Sequence, residues 1–188
     1  EEAFRAMPWG HAIYISNTVK EIRKYGLGGA NRTTELTFEA GSTLQTIGDL
    51  AFFGLGSNVA AIGNYSLTIP KSVVSIGDQA FGAPYGTGGQ QMRWQGQLIF
   101  ETGSQLRTIG AAAFGQAGFT GQLDLSPLTK LKTVGEFAFG SMTSLSTLHD
   151  IRVPKSVTLL GNNSFSKTAG KILYVPAGIP GYNATGFG

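Results

Sequence analysis

The sequence predicts a repeat solenoid, one chain wound into stacked coils whose short strands pair in parallel, and three observations predict it. A six-residue pattern returns at Ile47-Gly48-Asp49-Leu50-Ala51-Phe52, Ile76-Gly77-Asp78-Gln79-Ala80-Phe81, Ile109-Gly110-Ala111-Ala112-Ala113-Phe114, Val134-Gly135-Glu136-Phe137-Ala138-Phe139 and Leu160-Gly161-Asn162-Asn163-Ser164-Phe165. Two weaker copies stand at Ile22 to Leu27 and at Ala3-Phe4, and aligning Phe4, Leu27, Phe52, Phe81, Phe114, Phe139 and Phe165 gives intervals of 23, 25, 29, 33, 25 and 26 residues. Periods of that size mark stacked supersecondary units that cannot bury an apolar face alone. Before each copy lies an apolar-x-apolar segment, the alternation of a brief strand with one buried face.

Each coil has three parts. The strand comes first, at Ile13-Tyr14-Ile15, Leu36-Thr37-Phe38, Leu67-Thr68-Ile69, Leu98-Ile99-Phe100, Leu123-Asp124-Leu125, Ile151-Arg152-Val153 and Leu173-Tyr174-Val175. A turn follows, written Pro70-Lys71-Ser72 and Pro154-Lys155-Ser156, or with an acidic residue before Gly41-Ser42 and Gly103-Ser104. Pro and Gly end strands because of their backbone geometry. Then an apolar-x-x-apolar segment, such as Val73 to Ile76, carries the chain round the far side into the Phe motif. That motif is expected to form one tight helical turn or loop, with Ala and Phe closing the coil inward. Asp49, Asp78, Glu136 and Asn162 follow the motif's glycine and suit capping of free amides there, a structural rather than catalytic use of their side chains. The glycine suits a corner or a close approach of backbones, although Arg23 holds that place in the second copy. If the rings shield one another, Phe81→Ala and Phe114→Ala should destabilise more than Phe4→Ala.

The regularity breaks at residues 53–65 and at the Gly-rich run from Gly82 to Gln97, which carries Tyr85, Met92, Arg93 and Trp94. Insertions in a solenoid become loops on one face.

Composition bounds the function. Apolar residues make up 41% of the 188, enough for a continuous core, while only 13% are charged. The net charge is +3, yet the Lys and Arg residues are spread along the sequence, so nucleic acid is not expected as a partner. There is no cysteine, which excludes disulfides and thiolate metal sites. No apolar run reaches the roughly 20 residues of a membrane-spanning helix. The chain opens in mid-repeat, so its natural N-terminus is expected to precede Glu1, and the absence of a visible signal peptide carries no weight.

Converging catalytic groups are scarce. His11 and His149 have no partners at metal-ligand spacing. The neighbours His149 and Asp150 should face opposite sides of a strand rather than form a triad. Gly54-Leu55-Gly56 lacks the third glycine and the helix of a dinucleotide fingerprint. Four glycosylation sequons, at Asn31, Asn64, Asn162 and Asn183, are short enough to arise by chance. No catalytic, cofactor or metal site is predicted, and the chain is not read as an enzyme.

The stretch Leu67-Thr68-Ile69-Pro70-Lys71-Ser72-Val73-Val74-Ser75-Ile76-Gly77-Asp78-Gln79-Ala80-Phe81 resembles the repeat of the BspA-like leucine-rich repeat family, L-x-I-P followed by S-V-x-x-I-G-x-x-A-F. Leu173 to Gly178, followed by Tyr182, is similar to that family's terminal repeat. The resemblance implies a right-handed leucine-rich-repeat coil with a parallel sheet on its concave face and short turns on the convex side. It further implies an exported, cell-surface bacterial protein linked to adhesion and host-protein binding. Residues 1–188 are then one solenoid of about seven coils, with the first truncated and 170–188 as the capping repeat.

In every strand the middle residue faces away from the core, giving a ladder of Tyr14, Thr37, Thr68, Ile99, Asp124, Arg152 and Tyr174. The sequence-level expectation is a macromolecular partner, a protein by preference, bound through this ladder and through Tyr85, Arg93 and Trp94 in the nearby loop. The plainer reading is a solvated sheet with Asp124 and Arg152 paired across adjacent rungs, and an insertion loop packed on itself. The alternatives are a glycan-binding module stacking sugars on Tyr14, Trp94 and Tyr174, and a passive spacer.

Overall fold

A computed structural model describes residues 12–30, 32–55, 66–82 and 94–179. Two series of parallel strands alternate along the chain. The first comprises β1 (Ala12–Ile15), β3 (Glu35–Phe38), β5 (Leu67–Ile69), β7 (Leu98–Phe100), β10 (Ile151–Arg152) and β12 (Leu173–Tyr174). The second comprises β2 (Glu21–Ile22), β4 (Thr46–Ile47), β6 (Ser75–Ile76), β8 (Thr108–Ile109), β9 (Thr133–Val134) and β11 (Leu159–Leu160). No helix occurs among the described residues.

The continuous sheet is the second series, six strands ordered β11-β9-β8-β6-β4-β2. It runs through the apolar-x-x-apolar segments, where the sequence suggested only a change of direction. Its register places Ile22, Ile47, Ile76, Ile109, Val134 and Leu160 in one buried column. The first series, the expected ladder strands, pairs only in twos: β1 with β3, β5 with β7, and β10 with β12. Leu123–Leu125, expected as a strand, is not one, and on this side its coil has an isolated bridge between Gly121 and Leu145. Leu123 and Leu125 are still buried, so the alternation was read correctly and only the hydrogen-bonded ladder is missing.

The Phe motif forms successive tight turns rather than a helix. Alternate amides bond within the coil, as Ala51 N to Gly48 O and Phe53 N to Leu50 O, while those between them cross to the next coil. The crossing bonds include Leu27 N to Ala51 O, Phe52 N to Ala80 O, Phe81 N to Ala113 O, Phe114 N to Ala138 O and Phe139 N to Ser164 O, at 2.8–2.9 Å. They fix the spacing of the rings. Phe52, Phe81, Phe114, Phe139 and Phe165 form one fully buried stack with centroids 4.8, 5.3, 5.5 and 5.1 Å apart. The expected shielding of ring by ring is thus found along these five coils; Phe4 lies outside the described residues.

Glycine is required where each coil meets the one before it. A Cβ on Gly77 would lie 2.5 Å from Asp49 N and from Asp49 Oδ1, and one on Gly110 would meet Asp78 in the same way. The carboxylates occupy that contact: Asp49 Oδ1 accepts from Asp78 N at 3.0 Å, and Asp78 Oδ1 from Ala111 N at 2.7 Å. Their role is the structural one expected, but the amide capped belongs to the following coil. At the other corner Glu39 and Glu101 act backwards, accepting from Asn17 N and Lys71 N of the preceding coils at 2.9 and 2.8 Å. This explains why acidic-Gly-Ser turns replace Pro-Lys-Ser in some coils. Gly41 and Gly103 take the left-handed conformation those turns need.

Candidate binding surface

The ladder residues fall into groups because the first strand series is broken. Tyr14 pairs in register with Thr37, Thr68 with Ile99, and Arg152 with Tyr174. Tyr14 is 66% exposed, while Ile99 and Tyr174 are 39% and 40% exposed. Thr37 and Thr68 are half-buried, and Thr37 Oγ1 donates to Glu35 Oε1 at 2.9 Å. Tyr85 and Arg93 lie outside the described residues.

Trp94 is a correction. It is 1% exposed and stacks on Phe119 at 5.2 Å, and Phe119 in turn meets Phe114 edge-on at 6.4 Å. A ring of that size gains more from joining the core than from covering solvent. It therefore extends the Phe stack sideways and is not an exposed anchor.

The C-terminal coils hold a concavity of about 700 Å³, lined by Asp124, Asp150, Arg152, Lys155 and Tyr174 among others. It opens where the strand ladder stops. Among the described residues, the amides of Leu123, Asp124 and Leu125 take no backbone carbonyl. Asp124 bends the chain locally, its Oδ1 accepting from Ser126 N at 2.8 Å.

Arg152 does not pair with Asp124 across the rungs, as the plainer sequence reading had it. Its Nη2 donates to Asp150 Oδ2 at 3.0 Å, two residues back and just before β10. Its guanidinium also lies 3.8 Å from the centroid of the Tyr174 ring. One carboxylate oxygen and one aromatic face thus orient the cation. Its side chain stays 64% exposed, so the remaining N–H groups face solvent. The sequence reasoning missed Asp150 and Lys155. Asp150 was legible as the residue two before Arg152, which alternation puts on the same side.

Every described carboxylate except Glu136 accepts a hydrogen bond, as Glu21 does from Arg23 and Glu35 from Thr37. His149 Nδ1 lies 3.3 Å from Ser146 Oγ, but Asp150 is engaged by Arg152 instead of completing that pair. Among the described residues no cluster of three or more His, Asp or Glu is placed to hold a metal ion. No helix there is long and apolar enough to cross a membrane.

Comparison with known proteins returns the family suggested by the repeat. The model described as BspA type leucine rich repeat region matches six copies, over residues 1–83 and 97–183. The gap between them coincides with most of the Gly-rich insertion. No curated protein matches. The crystal structure of the pneumococcal vaccine antigen PcpA is similar at 26% identity and a TM-score of 0.48, over 89% of this chain. This chain spans 31% of that antigen's length.

Proposed function

Because the chain belongs to the BspA-type leucine-rich repeat family, we propose that it is a non-enzymatic module of a bacterial cell-surface protein that binds other proteins. Contact runs along the outward face of the ladder strands, from Tyr14 past Thr37, Thr68 and Ile99 to Asp124, Arg152 and Tyr174. The observation that carries this reading is the 700 Å³ concavity, in which three of those seven residues converge. Its volume is in the range of clefts that hold a ligand. Tyr and Arg are also the residue types that most often dominate binding energy.

Adhesion to host proteins is the use we assign to that surface. Surface plasmon resonance against a panel of extracellular-matrix proteins tests it, with Tyr14→Ala, Ile99→Asp and Arg152→Glu as variants. Each should weaken binding at least tenfold while leaving the melting temperature within a few degrees. Binding that all three leave unchanged would remove the ladder from the interface. The glycan alternative has lost support: Trp94 is buried, and one face of Tyr174 is covered by Arg152. A glycan array showing binding abolished by Tyr14→Ala would restore it.

A further inference from the structure

We infer that the C-terminal concavity is a receptor for a single carboxylate, an Asp or Glu side chain carried on an extended peptide of the partner protein. This deepens the protein-binding reading and rests on it.

Asp150 Oδ2 is taken by Arg152, and Oδ1 is buried without a hydrogen-bond partner, out of a ligand's reach. One oxygen of Asp124 is taken by Ser126 N. What remains is the second oxygen of Asp124, the Gln122 amide, the hydroxyls of Ser126, Thr129 and Tyr174, which donate as well as accept, and two cationic donors, the exposed Arg152 and Lys155. The two cationic donors select an anionic acceptor, and a guanidinium matches a carboxylate edge in two-point fashion. Tyr174 and Asp150 already hold the guanidinium, so little side-chain freedom is lost when the ligand arrives.

The charge count limits the ligand. Asp124 and Asp150 offset Arg152 and Lys155, so the lining is neutral overall. A neutral lining with one oriented cation favours a single carboxylate over a polyanion, which would meet Asp124. The walls decide its context. Leu123, Val153, Pro154, Val175 and Pro176 set apolar wall beside these polar groups. Among the described residues the amides of Leu123, Asp124 and Leu125, which line the groove, take no backbone carbonyl, and an extended chain brings carbonyls for them.

A random dodecamer library displayed on phage, selected against the whole chain, tests this. Enriched peptides should share an Asp or Glu. Changing that residue to Asn or Gln in the synthetic peptide should weaken binding at least tenfold, as should Arg152→Gln in the protein. Lys155→Gln should weaken it less, and circular dichroism should show both variants folded. Enriched peptides that lose binding with Ile99→Asp but are indifferent to Arg152→Gln would overturn the carboxylate site and leave the protein-binding ladder standing. Failure to enrich any peptide would count against both. Tight capture of a heparin fragment through Arg152, without peptide binding, would overturn the inference in favour of a polyanion.

Discussion

The five stacked phenylalanines are the residues on which stability should turn most steeply. Each is fully buried between two others or at the end of the row, so a truncated ring leaves a cavity whose walls are fixed by the crossing backbone bonds. Phe81→Ala and Phe114→Ala should each cost about 3–5 kcal/mol in denaturant unfolding. Leu27, in the same column but only half-buried, should cost clearly less as Leu27→Ala. Equal losses would mean that the column is not the core. Glycine gives a second contrast at this scale. Gly110→Ala drives a methyl into Asp78 and should destabilise by at least about 1–3 kcal/mol. Gly41→Ala meets no atom within 4 Å and carries only the strain of its left-handed backbone, about 1 kcal/mol.

At the scale of the element, the turn ribbon under the Phe column is the unexpected device. Leu50, Gln79, Ala112, Phe137 and Asn163 all sit two residues after the motif glycine with φ between 49° and 56°, a region L-residues enter at a cost. Gln116, Ser141 and Lys167 repeat the conformation two residues after the phenylalanine. The cause is the alternation of hydrogen bonds. Every second amide must turn outward to reach the next coil, and a helix would direct them all along its own axis. Lys167 is exposed, so Lys167→Gly should raise stability by a few tenths to about 1 kcal/mol by relieving that strain. Lys167→Val should lower it, since a β-branched residue tolerates positive φ poorly. Thermal melts of the pair decide the point. The inverse order would show that the ribbon is not strained.

For the whole molecule, stability should be distributed as in a one-dimensional stack, where each coil touches only its neighbours. Hydrogen exchange should therefore be slowest at the centre of the six-stranded sheet, around Ile76 and Ile109, and faster at its ends near Ile22 and Leu160. Uniform protection along the sheet would contradict nearest-neighbour coupling. Coil-to-coil register also gathers residues that look dispersed in the chain. Arg107 and Lys132 lie on adjacent rungs, linked by the bond from Lys132 N to Arg107 O.

The repeat period, the apolar columns and the family follow from the sequence alone, because each coil must bury its apolar side chains against neighbours of the same pattern. Ile76, Phe81 and the middle residues of the strands were placed correctly for that reason: alternation tells inside from outside one coil at a time. What lay beyond it were facts about two coils at once. Which strands keep their hydrogen bonds, whether Arg152 turns to Asp124 or to Asp150, and whether Trp94 sinks onto Phe119 depend on distances across a rung. A linear pattern carries no such distances, and only the stacked structure, with the ladder broken at Leu123–Leu125, decided where a concavity opens.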